Sequence, residues 1–277
     1  MTFLPKMSIM KPLVHHDSAL RIAVIGLVGL GAAMGIGRFA FTPMMPLMQT
    51  HGDLSLGQAG QLASANYLGY LIGGLLCFAL NLRPATSAKL GLIAVAVSTL
   101  AMALTSSFGA WAVLRFVAGI ASAFVFVGIS AWALALLAQH QRATWSGWVF
   151  AGVGTGILFA GLAALVIGAL GIAPASGWLF LGCAASAVAI LAVRSIRSPA
   201  ATADEKQQAT VSPGFDRCAW RLIVCYAACG FGYIIPATFL PAASRVLADN
   251  PIVFGWTWPV FGVFAIVILR RGMRTLA

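Results

Sequence analysis

Two arginines, Arg38 and Arg115, are the residues of this sequence that most strongly indicate a functional role, because both lie inside long apolar segments. At about 1.5 Å per residue, Arg38 lies about 25 Å beyond Arg21 along a helix, past the centre of a bilayer but short of its outer surface. A guanidinium at such depth costs about 2.5 to 3.5 kcal/mol even on a lenient insertion scale. Each arginine is therefore expected to face a polar cavity or a partner, and one anionic group could lie between the two.

Both arginines have an alternative interpretation. Arg38 could extend to the outer interface or cap the carbonyls of a neighbouring helix. The prolines that follow it, Pro43 and Pro46, favour the cavity, because transporters open backbone to a site where proline interrupts a helix. For Arg115, near the outer end of its segment, an interfacial anchor and a role in the interior stay equally open.

The candidate binding site has Arg38 as its main polar contact, Arg115 across the cavity, and Asn66, Tyr67 and Tyr233 on neighbouring helices. None of the six acidic residues lies in an apolar segment, so no carboxylate within the membrane neutralises Arg38. An anionic or carbonyl-bearing solute would supply the compensation. The sequence thus predicts a small-molecule solute as partner.

The sequence argues against an enzyme. Catalysis at membrane depth would need a nucleophile with a base, or metal ligands, yet every histidine also falls outside the apolar segments: His15, His16, His51 and His140. The five cysteines form no Cys-x-x-Cys pair, so they indicate neither a metal site nor a disulfide framework. No catalytic residue, metal or cofactor is predicted.

Composition sets the class of protein that must position these residues. Hydrophobic residues make up 61% of the 277 and charged residues only 8%, which leaves too little polar surface for a water-soluble domain. The net charge of +11 does not indicate a nucleic-acid partner, because the basic residues fall at the ends of apolar segments. The chain is predicted to be an all-α, polytopic protein of the lipid bilayer.

A helix-length window predicts eight spans, at about 20–47, 59–80, 88–106, 110–138, 146–172, 177–194, 218–242 and 252–269. The first is too long for a signal peptide and contains an arginine, so it is expected to be retained. The predicted organisation is a cytoplasmic segment at 1–19, a six-helix half at 20–194, a polar cytoplasmic linker at 195–217 and an incomplete second half at 218–277.

Basic residues predict the orientation. If the N-terminus is cytoplasmic, Arg245 is the sole basic residue of the outside loops. The inside segments then hold Lys6, Lys11, Arg21, Arg83, Lys89, Arg142, Arg194, Arg197, Lys206, Arg217, Arg221, Arg270, Arg271 and Arg274.

Glycines four residues apart predict where helices pack closely, because small residues let two backbones approach in lipid. Such pairs are Gly31 with Gly35, Gly69 with Gly73, and Gly152 with Gly156. They carry no information about the solute.

A pattern repeats 195 positions apart. Residues 35–46 read Gly-Ile-Gly-Arg-Phe-Ala-Phe-Thr-Pro-Met-Met-Pro, and residues 230–241 read Gly-Phe-Gly-Tyr-Ile-Ile-Pro-Ala-Thr-Phe-Leu-Pro. A parallel repeat of this period suggests a transporter of two similar six-helix halves, in which the seventh helix matches the first and faces it across a cavity.

The segment Gly35 to Gln49, together with Ala65-Asn-Tyr-Leu-Gly-Tyr-Leu-Ile-Gly73, resembles the YbfB/YjiJ-type branch of the major facilitator superfamily. Arg115 and Gly119 are similar to that superfamily's fourth-helix motif, which would imply a part in coupling or gating. The resemblance implies a twelve-helix secondary transporter of the bacterial cytoplasmic membrane that works by alternating access around a central cavity.

The chain departs from the superfamily pattern in two places. The loop at 81–89 lacks the usual aspartate, and the fifth span has several glycines without a proline beside them. Because the last four helices of the resemblance have no counterpart, the sequence is expected to be a truncated product. The alternative function is then a transport-inactive fragment or an accessory membrane protein.

Overall fold

The computed structural model describes residues 16–51, 54–197, 217–247 and 255–275, which are helical apart from short connections. The helices are α1 His16–Leu30, a π-helix Gly31–Phe39, α2 Phe41–Thr50, α3 Leu56–Leu80, α4 Pro84–Ala103, α5 Phe108–Gln139, a 3-10 turn Ala143–Trp145, α6 Ser146–Ala169, α7 Pro174–Ser195, α8 Arg217–Leu247 and α9 Thr257–Thr275.

Seven stretches of the described residues are long and apolar enough to cross a membrane. The first, Ala19–Thr50, joins α1, the π-helix and α2 into one span of 32 residues, and α3 to α8 supply the other six. The eighth predicted helix is present as α9, whose last two turns contain Arg270, Arg271 and Arg274. The predicted all-α, polytopic class is confirmed.

Local chemistry explains where several helices begin. Ser55 and Gln58 form a capping box at the start of α3, in which the Gln58 amide donates to the Ser55 hydroxyl at 3.2 Å and the Ser55 amide donates to the Gln58 side chain at 2.9 Å. Pro84 and Pro174 stand at the first positions of α4 and α7, where proline needs no amide hydrogen. These three helices therefore start about three residues earlier than hydropathy predicts.

Two predicted segments fall largely outside the described residues, namely the N-terminal segment at 1–19 and the linker at 195–217. The predicted start of the last span, at 252, lies outside them too.

The core lies among α1 to α7. Its fully buried side chains come from the first, third, fourth and sixth spans and include Leu30, Leu92, Val95, Ile129 and Leu181. The main helix pairs are α3 with α5, α4 with α5, α4 with α7, and α6 with α9. By contrast, α8 is only 11% buried over its most apolar window.

Glycine allows α6 to approach two neighbours at backbone distance. An added Cβ at Gly156 would collide with the backbone of Gly31, and one at Gly152 with the backbone of Leu27. On the opposite face, a Cβ at Gly154 would lie 2.5 Å from the amide nitrogen of Ile266 in α9. The predicted close packing at the Gly31 and Gly152 pairs is thereby confirmed, and the seam with α9 adds to it.

Candidate functional site

A cavity of about 880 Å³ lies between the first span, α3 and α8. Both copies of the repeated pattern reach it: Arg38 and Tyr233, which are equivalent in the repeat, line the same space. The wall is mostly apolar and is formed by Arg38, Gly57, Gly60, Gln61, Ala63, Ser64, Tyr67, Ala227, Gly230, Phe231, Tyr233, Ile234, Ile235, Thr238 and Phe239.

Arg38 lines this cavity and has hydrogen-bond donors that the described residues leave unused. Its Nε and Nη1 atoms are buried and have no hydrogen-bond partner among the described residues. Its guanidinium carbon lies 3.8 Å from the ring centroid of Tyr70 and 5.5 Å from that of Tyr67. The aromatic faces stabilise the cation without using its N–H groups. Arg38 therefore has donors left for an acceptor that the described residues do not supply.

Arg115 is placed differently from the expectation. It is 3% exposed and does not line the cavity, and its Nη1 and Nη2 atoms donate to the carbonyl oxygens of Gly37 and Arg38 at 3.0 and 2.9 Å. Its guanidinium also lies 4.9 Å from the ring centroid of Phe41. The predicted position across the cavity is therefore corrected, because Arg115 lies behind Arg38 and binds the backbone that carries it.

Arg115 binds the backbone where the π-helix Gly31–Phe39 gives way to α2. The carbonyl oxygens of Gly37 and Arg38, near the end of the π-helix, both accept from the Arg115 guanidinium. Arg115 thus supplies donors to backbone carbonyls in an apolar environment, where an unsatisfied backbone group is costly.

Asn66 belongs to the same support rather than to the cavity wall. It is fully buried, and its Nδ2 atom donates to the carbonyl oxygen of Arg115 at 2.8 Å. Its Oδ1 atom is buried without a hydrogen-bond partner among the described residues. Asn66 thus links α3 to α5 directly behind the arginine pair.

The two predicted tyrosines do line the cavity. The hydroxyl of Tyr67 is hydrogen-bonded to Oγ1 of Thr238, and Thr238 Oγ1 donates to the carbonyl oxygen of Ile234 at 2.6 Å. Since the Thr238 hydrogen is used within α8, Tyr67 is the donor of the pair. Tyr233 is half exposed and presents its ring to the cavity.

Two residues of the site were not predicted from the sequence. The ring of Tyr70 lies against the Arg38 guanidinium, and its position three residues after Tyr67, on the same helical face, could have indicated this contact. Thr238 joins α8 to α3, and it lies within the second copy of the repeat. Because it is a polar residue within the repeat, Thr238 could have been predicted as a residue of the site.

Comparisons with known proteins give the family and the fold of this chain. Residues 30–273 match the family described as "Uncharacterised MFS-type transporter YbfB". The structure is similar to that reported as "Crystal structure of D-xylose-proton symporter", with a TM-score of 0.66 and 14% identity over 93% of this chain and 69% of that chain. The comparison with curated proteins gave no match. The family match covers most of the chain, and we conclude that the chain belongs to the YbfB-type family of major facilitator superfamily transporters.

Proposed function

We propose that this transporter moves a small anionic or carbonyl-bearing organic solute by alternating access, with the solute bound in the cavity at Arg38. The single observation that supports this most is that Nε and Nη1 of Arg38 are buried without a hydrogen-bond partner among the described residues, in a side chain that lines the cavity. Buried polar groups without partners are uncommon in proteins and invite a functional explanation.

The chemistry of the solute follows from what the wall lacks. Within the described residues that line the cavity, Arg38 is the one charged side chain, and no carboxylate is present. A carboxylate or a similar planar acceptor pairs well with a guanidinium, often through two parallel hydrogen bonds. The aromatic and aliphatic remainder of the wall suits an apolar body, and Tyr233 and Phe231 offer it ring surfaces.

The roles of the other predicted residues follow from their contacts. Tyr67 and Tyr233 are proposed to contact the solute, whereas Arg115 and Asn66 position the backbone of Arg38. The Tyr67–Thr238 hydrogen bond is proposed to close one side of the cavity, since it joins α3 to the sparsely packed α8. Alternating access would then require this bond to break and reform.

We further propose that the chain lies with its N-terminus in the cytoplasm, in the bacterial inner membrane. The distribution of basic residues supports this orientation. In it, Arg38 and the cavity belong to the outer half of the bilayer.

Ligand-dependent stabilisation of the purified protein tests the role of Arg38. A panel of small carboxylic acids, the corresponding amides, and neutral sugars would be screened by thermal unfolding in detergent, because a ligand that binds the folded state raises its melting temperature. We expect stabilising compounds among the acids. Replacing Arg38 with glutamine should weaken their apparent affinity by about tenfold or more, as a charge-assisted hydrogen bond contributes about 1.5 to 3 kcal/mol.

Arg83→Gln is the matched control, because Arg83 is exposed in the loop between α3 and α4. It should leave binding unchanged. Uptake of the best acid into proteoliposomes, at equal protein abundance, then separates transport from binding. Equal stabilisation of the Arg38→Gln variant and the parent by every active compound would contradict the proposal.

A further inference from the structure

A second, almost wholly apolar groove of about 390 Å³ runs along the outside of the helix bundle, away from Arg38 and its cavity. It lies between α1 with the π-helix on one side and α6 and α7 on the other. Its lining, called the lipid groove below, consists of Leu27, Val28, Gly31, Ala32, Ile36, Thr155, Gly156, Phe159, Ala184, Ala187 and Val188.

Small residues create the lipid groove. Gly31 and Gly156 are in backbone contact and form the floor of the groove. On α7, Ala184 and Ala187 have short side chains that leave the groove open. Although α6 and α7 are consecutive, they contact each other little. The gap between them therefore opens to the outside of the bundle, where Phe159 and Phe180 stack at 5.7 Å beside it.

Two arginines mark one end of this groove. Arg21 precedes Val28 by two helical turns in α1, and Arg194 follows Ala187 by two turns in α7, so each arginine lies on the same helical face as a residue of the groove. The helices α1 and α7 contact each other, and as parts of the first and the sixth consecutive spans they cross the membrane in opposite directions, so both arginines are at the same end. Each lies about 10 Å beyond the groove along its helix.

The strip between the arginines and the groove is also apolar and accessible. Val24 is 48% exposed and Leu191 is 61% exposed, and they lie between the groove and Arg21 or Arg194 respectively. Arg21 and Arg194 are themselves exposed. The surface therefore combines the apolar lipid groove and its apolar extension with two cationic side chains at the membrane boundary.

We propose that this surface binds one anionic glycerophospholipid, with its phosphate between Arg21 and Arg194 and one acyl chain in the lipid groove. Basic residues between membrane helices on the cytoplasmic side are suited to bind anionic headgroups. The lipid groove is apolar, so it suits an extended acyl chain and not a polar solute. The proposed N-in orientation assigns the lipid to the inner leaflet. The binding itself does not depend on that orientation or on the solute of the cavity.

Native mass spectrometry of the full chain released from detergent micelles tests the proposal, with phosphatidylglycerol as the anionic probe and phosphatidylcholine as the zwitterionic one. We expect the parent protein to retain phosphatidylglycerol selectively. The double variant Arg21→Gln/Arg194→Gln should lose about 25-fold in phosphatidylglycerol affinity, because each basic residue near the headgroups contributes about fivefold. Its retention of phosphatidylcholine should stay the same.

Two matched controls separate a built site from general effects. Arg83→Gln/Arg217→Gln removes the same charge from exposed positions elsewhere and should retain the parental selectivity. Ala187→Leu fills the groove without changing charge and should lower lipid retention, whereas Ala79→Leu, at an exposed position on α3, should not. Equal loss in both double variants, no effect of Ala187→Leu, or a dimer that Ala187→Leu dissociates would each overturn the proposal.

Discussion

At the scale of single residues, the two buried arginines have opposite relations to the protein. Arg115 uses Nη1 and Nη2 on backbone carbonyls and leaves Nε without a partner, whereas Arg38 has both Nε and Nη1 buried without a partner among the described residues. Desolvating a guanidinium is costly in both cases, and Arg115 recovers part of that cost from its two hydrogen bonds. Arg38 recovers some from aromatic faces and is left in need of an acceptor.

Removing the Arg115 side chain should therefore destabilise the fold more than it changes the chemistry of the cavity. Arg115→Gln leaves the carbonyls of Gly37 and Arg38 without their donor, and each buried unsatisfied group costs about 1 to 3 kcal/mol. We expect a lower melting temperature in detergent, measured by intrinsic tryptophan fluorescence.

Lysine at position 115 should restore part of that stability, because it keeps the charge but lacks the planar pair of donors. Arg83→Gln, in an exposed loop, serves as the reference. An Arg115→Gln protein that unfolds at the temperature of this reference would show that the two hydrogen bonds contribute nothing to stability.

The sequence identified both arginines but gave them the same kind of role. Residue type and depth were visible in the sequence, and these were enough to predict that Arg38 and Tyr67 lie at one site; both line the same cavity. What separates the two arginines is the backbone near the end of the π-helix, where the carbonyls of Gly37 and Arg38 accept from Arg115. Hydropathy does not report a change of register, so the backbone role of Arg115 was not predictable from it.

At the scale of helices, the closest approaches in this bundle occur at glycines. The first span and α6 approach until Gly31 and Gly156 are in backbone contact. The spacing of four residues predicted this seam correctly, because small residues on one helical face are what close approach in lipid requires. The seam between α6 and α9 was not predicted, since its glycines recur every seven residues at 147, 154 and 161.

Adding one methyl group to the first of these seams should separate the helices. Gly156→Ala places a Cβ against the backbone of Gly31, which has no side chain that could move aside. Gly74→Ala is the control, since nothing lies within 4 Å of its added Cβ. Unfolding in detergent with increasing sodium dodecyl sulfate would measure both.

We expect Gly74→Ala to be neutral or stabilising by up to about 1 kcal/mol, because alanine is the better helix former. Gly156→Ala should lose about 1 to 3 kcal/mol through overpacking. The reverse order of stability would contradict the close approach of α6 to the π-helix.

At the scale of the whole molecule, the eight helical segments and their class were predictable, whereas their exact ends were not. Hydropathy reports the apolar centre of a helix, and it misses starts that are set by capping or by proline, as at Ser55 and Pro84. The family was also within reach, because the first and second spans carry its residues. The lipid groove could not be predicted from the sequence, because its residues come from three separate spans.

Orientation in the membrane is a prediction for the whole chain. In a background without cysteine, single cysteines at Ser106 and Ala173 should react in intact cells with a membrane-impermeant maleimide, since these exposed positions lie in or beside the outer connections. Cysteines at Thr86 and Gln139, exposed at the opposite ends of helices, should react only after the membrane is opened. The reverse pattern would place the N-terminus outside.

The two glycine faces of α6 also have a mechanical consequence. Interlocked side chains resist sliding because each must change rotamer before its neighbour passes, but a seam of glycines against backbone has few such obstacles. Along the glycine face, a small step of α9 along α6 would therefore meet few side chains. The larger side-chain contacts of these two helices lie elsewhere, in the buried cluster that contains Ile157 and Trp258 and in Arg270, whose guanidinium carbon is 4.1 Å from the ring centroid of Trp148.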